Sequence, residues 1–451
     1  MTGRAGAMSR DPEARAKRLF QVSVTLVAAM ALFGYGVVAG INRLPPVPAM
    51  TDLYQMVSEV LNPSDRILET AAPTPEEPAA RALLPEAMAP GLTMVAGISR
   101  GRDTRVMVID AAGEVHQQWD VAWAEVWADH EGSFPDERRP TKGMYLHGVT
   151  LLPGGDLVAN FEHLSTFRMD PCGEVIWKLD NLGHHSAHYS AADDTIWVSA
   201  ERYITEPPTG YPLHDTPLRS WTAQQLSPEG EVLRDIPVID ILIQNDLQGL
   251  LYLSSLRNAA PFPVSGDTLH LNDVEVFPAG LDSTVFATGD LMLSLRNINT
   301  VLVVDPETLA LKFISTGAVV RHHDPDFMAG DVISVFDNRT FTLDGAGATP
   351  ASRIIEINAA TGARRTVLGD RPASAFFTNI MGTHQRLPNG NILINESERG
   401  RILEFTPDGT LAFAYDNRIG EGRNGRTFAA RRLPPDMDVA FFAGKQQECT
   451  Q

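Results

Sequence analysis

Cysteine is nearly missing from this 451-residue chain: Cys172 and Cys449 are the only two. The fold is therefore not built on a disulfide framework. One lies in a turn and the other at the extreme C-terminus; spacing gives no reason to join them, and both are read as unpaired. Cationic charge is also scarce. Against 56 Asp and Glu stand 37 Lys and Arg, for a net charge of −19, which argues against a nucleic-acid partner while leaving room for a local pocket for a small anion. No glycine-rich phosphate-cradling loop is present, so a nucleotide donor is not expected. Nor does a carboxylate-flanked histidine spacing of the metal-centre kind stand out, and no metal or cofactor is expected.

What is present begins with a charge-free run from Leu19 to Ile41, long enough to cross a bilayer. Arg4, Arg10, Arg15, Lys17 and Arg18 precede it against Asp11 and Glu13. That bias keeps the N-terminus in the cytoplasm and sends the rest across the membrane. Residues 1–18 thus read as a cytoplasmic basic tail and 19–41 as an uncleaved transmembrane anchor. Residues 42–91, rich in Pro and Ala, read as a linker with a short helix near Met50 to Leu61.

From residue 92 to 445 the pattern changes to short alternating strands between Gly, Pro, Asp and Asn turns. One tight turn recurs six times: Asp110–Gly113, Asp170–Gly173, Ser227–Gly230, Asp305–Thr308, Asn358–Gly362 and Thr406–Gly409. Each follows an apolar strand such as Val106–Ile109 or Val301–Val304 and precedes another. A second unit, a Gly-containing turn and a strand, lies upstream, as in Leu152–Val158 and Leu387–Leu393. Four antiparallel strands per unit, six times over, predict an all-β six-bladed β-propeller. An insertion is expected at about Ile239 to Asp267, and a C-terminal strand near Asp438 to Phe442 to complete the first unit and hide its edge.

Histidine recurs with the repeat: His147, His184 and His185, His270, His323 and His384 each fall near the start of a unit. If the units close into a ring, these imidazoles converge on one axis. The spacing fits a blade-end hydrogen bond for any single histidine as well as it fits a shared site. Arg296, after Leu293-Ser-Leu295, adds a guanidinium suited to a planar or tetrahedral oxyanion, or to an acidic partner on a neighbouring blade.

In these segments the sequence resembles the bacterial arylsulfate sulfotransferases, from about Leu92 to Asn417. Leu146-His147, Gly183-His-His-Ser186, His270-Leu-Asn272 with Ser294-Leu-Arg296, His323-Asp324 with Val335-Phe-Asp-Asn338, and Gln385 to Leu393 carry it, in order. The resemblance implies a periplasmic propeller on an inner-membrane anchor that moves a sulfuryl group from an aryl sulfate ester to a phenol. It implies His323, rather than its neighbour His322, as the residue transiently sulfurylated. His270 and Arg296 would hold the sulfuryl oxygens, and His184 or His185 would complete the group. His147, His322, Asn272 and His384 would line the substrate site. Three rivals stand beside it: a non-catalytic propeller scaffold on the membrane, a quinoprotein dehydrogenase, and a metal site using His184, His185, His188 and His323.

Overall fold

The computed structural model describes residues 12–42, 44–45, 50, 72–100, 103–128, 145–206, 218–253, 256–257, 260–261, 267–340, 350–420 and 422–450. The chain divides into two compact units, residues 1–64 and 65–451. In the first, one helix spans Pro12–Asn42. Its large apolar side chains are exposed, Leu32 at 72% and Phe33 at 75%. It is long and apolar enough to cross a membrane. The helix expected near Met50 to Leu61 lies outside the described residues.

The second unit is all-β in its regular core. Six antiparallel sheets, each with four strands in up-and-down order, follow one another along the chain. Their innermost strands are Thr427–Arg432, Leu146–Leu151, His184–Ser190, Leu271–Val276, His323–Met328 and Thr383–Arg386. Each touches the next in that order, except that Thr427–Arg432 closes the sequence by touching both Leu146–Leu151 and Thr383–Arg386. All six recurrent turns join the third strand of a sheet to its fourth. The chemistry of the turn explains the recurrence. Asp110 and Asp170 each accept two backbone N–H groups of the following residues, Ser227 does the same through its hydroxyl, and Gly113, Gly173 and Gly230 take left-handed φ near 84°, 90° and 87°.

Two expectations are corrected here. The strand that completes the first sheet is Thr427–Arg432, paired to Thr93–Ile98. Asp438 to Phe442 instead opens a helix, Val439–Glu448, because the Asp438 carboxylate accepts the Phe441 N–H and caps it. The cysteines are not free. Cys172 and Cys449 form a disulfide with Cα atoms 5.3 Å apart, tying that helix to the turn at Asp170–Gly173. Sequence separation could not reveal this, since the helix returns its end to the second sheet.

Part of the stretch read as linker is also docked. Ala72–Pro73 pairs with Arg423–Asn424, and Ala80–Ala82 adds a fifth strand to the sixth sheet against Phe413–Tyr415. The expected insertion after Ile239 holds a helix, Val238–Gln244, whose Ile239, Ile241 and Leu242 pack with Leu291 and Leu293.

Candidate functional site

The first turn of each inner strand carries the chemistry, and the local backbone explains how. Register shifts interrupt the pairing at Leu146/Val149, His184/Ala187, Leu271/Asp273 and His323/Asp326. Such bulges bend a strand and re-aim the side chains beside them. Left-handed residues sit at or next to them: Gly148, His185, His270 and Asp324 have φ of 79°, 51°, 57° and 48°. At Gly148 no side chain could be added, since a Cβ would come within 2.6 Å of the Ser186 backbone. That close approach sets His147 beside His185, with ring centres 4.0 Å apart.

A cavity of about 110 Å³ collects the result. His147, His185, Asn272, His323 and His384 line it, as do Asp273, Glu275, Asp324, Asp326 and Arg431. His184, His270, His322 and Arg296 do not. His270 Nε2 lies 3.0 Å from His185 Nε2, and His184 Nδ1 lies 3.0 Å from His185 Nδ1, so these three rings form one chain. The Arg296 backbone N–H donates to the His270 backbone carbonyl at 3.0 Å, so both residues start from one corner of the fourth sheet.

Two kinds of histidine result. Burial, reinforced by the Arg296 guanidinium, pulls His322 down to about 3 and His323 well below the ordinary imidazole value. Burial likewise depresses His184 and His185, and brings His270 to about 4 despite the Asp267 carboxylate on its Nδ1. These five are neutral near pH 7. His163 and His384 go the other way. Glu162 and Glu201 outweigh burial and raise His163 to about 10, and Asp326 with Asp324 raises His384. Glu162 itself stays ionised: burial opposes its charge, but His147, His185 and His163 hold it well below the carboxylate range.

His323 is oriented on both sides. The Asn338 side-chain N–H₂ donates to the Thr378 and Met381 carbonyls, at 3.0 and 2.7 Å, so its oxygen faces His323 Nδ1 at 2.7 Å and must accept. The proton therefore sits on Nδ1. Nε2 carries the lone pair, and the Met381 N–H approaches it at 3.2 Å. His322 is wholly enclosed, and neither ring nitrogen has a hydrogen-bond partner among the described residues.

Arg296 has donors to spare. Its Nε meets Asn297 Oδ1 at 3.2 Å, and Nη2 lies 3.9 Å from Asp267. Burial and the neighbouring Arg321 lower its pKa to about 10.

Sequence reasoning missed Glu162, His163, Glu201 and the carboxylate wall. Glu162 and His163 directly follow Leu157–Phe161, the second strand of their sheet, as Arg296 follows Leu291–Leu295 and Asn338 follows Val332–Asp337. The ends of the second strands are thus a recurrent position that marks Glu162 and His163, whereas Glu201 lies within Thr195–Ile204 and the carboxylates lie on the first strands.

Comparison with known proteins gives the family. Residues 148–418 match the arylsulfotransferase (ASST) family model. No curated protein matches the chain. Similar solved structures include a protein of unknown function from Bacteroides caccae, at 11% identity and TM-score 0.41, covering 74% of this chain and 97% of its own. Kuenenia stuttgartiensis hydrazine synthase is similar at 12% and 0.38, covering 69% and 76%. Virginiamycin B lyase from Staphylococcus aureus is similar at 8% and 0.35, covering 76% and 86%. With more than half its length matched by the family model, the chain belongs to the arylsulfotransferase family.

Proposed function

We propose that the chain transfers a sulfuryl group from an aryl sulfate ester to a phenol through a sulfurylated His323, in ping-pong order and without a nucleotide donor. The family supports aryl sulfate chemistry. The observation that carries the mechanism is the state of His323: neutral by burial, protonated on Nδ1 opposite Asn338, and lining the cavity, with the Nε2 lone pair held by the Met381 N–H. That lone pair attacks sulfur and gives up the contact with the Met381 N–H. The sulfur–oxygen bond to the aryl group breaks, and the phenolate leaves with the electron pair. In the second half an acceptor phenol loses its proton, its oxygen attacks sulfur, and the nitrogen–sulfur bond returns its pair to Nε2. Arg296 and His270 are assigned the sulfuryl oxygens, with charge gathering on them in each transition state; neither lines the cavity, and the support for Arg296 is its charge acting on His323. His185, hydrogen-bonded to His270 and close to His147 and Glu162, carries the proton to and from the phenols. Asn272, His147 and His384 line the substrate site, whereas the wholly enclosed His322, expected there from the sequence, lies outside its lining.

In the same reading the six sheets are six blades of one closed propeller, supported by the cyclic contact of their inner strands. Residues 1–18 are cytoplasmic, 19–41 anchor the chain in the inner membrane, residues 42–91 connect, and the propeller of 92–445 lies in the periplasm. The Cys172–Cys449 disulfide suits such an oxidising compartment.

A non-catalytic scaffold is the second reading, favoured by the Met381 N–H that occupies His323 Nε2. Intact-mass measurement after incubation with 4-nitrophenyl sulfate decides. One added sulfuryl group in wild type, lost in His323→Ala and kept in His322→Ala, is the expected pattern. No adduct under any condition would leave the scaffold.

A further inference from the structure

One wall of the cavity is at odds with the substrate just proposed. Asp273, Glu275, Asp324 and Asp326 line a space that an anionic sulfate ester has to enter. Among the lining residues Arg431 is the one permanent cation, one against four. Carboxylates packed this closely need neutralising, by shared protons or by a bound cation.

The arrangement favours a cation. Asp324, Asp326 and His384 each present a ligand atom within 4.8 Å of the other two. His384 Nδ1 lies 2.9 Å from the Asp324 carboxylate, and its Nε2 is hydrogen-bonded to the Ser334 hydroxyl at 2.7 Å, with Asp326 3.5 Å away. Nδ1 is thus the nitrogen turned to the carboxylates, and the Ser334 hydroxyl on Nε2 holds the far side of the ring, as an outer partner does for a metal-ligating histidine. A second, separate sign comes from Asn272. It is 96% buried by its 4% exposure and lines the same cavity, yet its Oδ1 has no hydrogen-bond partner among the described residues. Glu275 Oε2 is likewise shut away and unpartnered there. Buried acceptors without donors are costly, and both are oxygens of the kind a metal ion accepts.

We propose that Asp324, Asp326 and His384 form a site for a divalent cation of the first transition row, with Glu275 and Asn272 completing its oxygen donors. Two carboxylates and an imidazole select Mn²⁺, with Zn²⁺ as competitor, over Ca²⁺, which prefers all-oxygen shells. The ion neutralises the acidic wall and, through Asp324, fixes the left-handed residue next to His323. Its purpose in transfer rests on the sulfotransferase reading; its existence does not.

The test uses the full chain stripped of metal with a chelator and titrated with Mn²⁺, with the free-ion electron paramagnetic resonance signal as readout and no aryl sulfate present. The expected result is one Mn²⁺ bound per chain, with affinity falling at least tenfold in Asp326→Asn and in His384→Gln. Thermal melts show whether each variant is folded. Zn²⁺ displacing Mn²⁺ with the same variant pattern supports the site. Glu162→Gln separates it from the cluster of His147, Glu162 and His185. Binding abolished by Glu162→Gln and untouched by Asp326→Asn overturns the proposal, as does absence of Mn²⁺ and Zn²⁺ binding at millimolar concentration. Mn²⁺ binding without any sulfurylated His323 would sink the transferase reading and leave the metal site standing.

Discussion

Replacing Arg296 by lysine gives the sharpest test of how the site handles charge. Burial and Arg321 bring the guanidinium from 12.5 to about 10. At about 1.36 kcal/mol per pH unit, that is a penalty of roughly 3 kcal/mol on the cation. Arginine absorbs this and stays charged throughout the working range. A lysine in the same place starts from about 10.4 and, under the same penalty, titrates near pH 8. The sign is fixed: a depressed cation loses its charge as pH rises. Arg296→Lys should therefore show an alkaline fall in kcat/KM centred near pH 8 that wild type lacks up to about pH 9.5. Below that limb the variant should still be about 10²–10³-fold slower, because an ammonium cannot reproduce the two parallel donors of the fork. Stopped-assay pH profiles with 4-nitrophenyl sulfate measure both effects. Superimposable profiles for variant and wild type would refute the reasoning, since the side chain at 296 would then not meet the transferred group.

The enclosed His322 should make the fold acid-sensitive. Its folded pKa of about 3 lies below the unfolded 6.5, so unfolding takes up a proton and stability falls as pH drops through 6.5 towards 3. His322→Phe should flatten the urea-unfolding loss between pH 7 and pH 5 by about 2 kcal/mol; equal losses would contradict the buried neutral ring. Reducing the Cys172–Cys449 disulfide, which closes a loop of 277 residues, should lower stability by about 2–5 kcal/mol in denaturant titrations. No change on reduction would mean that the bond does not form in the protein. Deleting residues 1–41 should move the chain from the membrane pellet to the soluble fraction after lysis, and continued sedimentation would argue against the anchor.

Much of the architecture was legible because it repeats. A turn that must present a side-chain acceptor to backbone N–H groups leaves Asp, Ser, Asn or Thr at its first position and, in five of the six copies, Gly near its end (Leu309 takes the left-handed φ in the fourth), and the six copies outlined the sheets. Histidines at inner-strand starts were legible for the same reason, and the cavity brings together His147, His185, His323 and His384. What escaped depended on distance across the sheets. Nothing local in Thr427–Arg432 marks it as the partner of Thr93–Ile98, and the apolar start of Val439–Glu448 imitates a strand until its Asp cap is seen. The acidic wall was hidden differently: Asp273, Glu275, Asp324 and Asp326 alternate with apolar residues, which reads as the solvated face of a strand. Only the convergence of two inner strands turns that face into a cavity lining.

The pairing of Thr427–Arg432 with Thr93–Ile98 also sets a constraint on biogenesis. A nascent chain emerging from the ribosome must wait for almost its whole length before the earliest sheet receives its last strand. At about 5–20 residues per second, that wait is on the order of tens of seconds. During it Thr93–Ile98, paired with Thr104–Ile109 on one side, has no native neighbour on the other, so production in the cell should depend on a holding chaperone, and premature stop codons should yield aggregates rather than shortened folded chains.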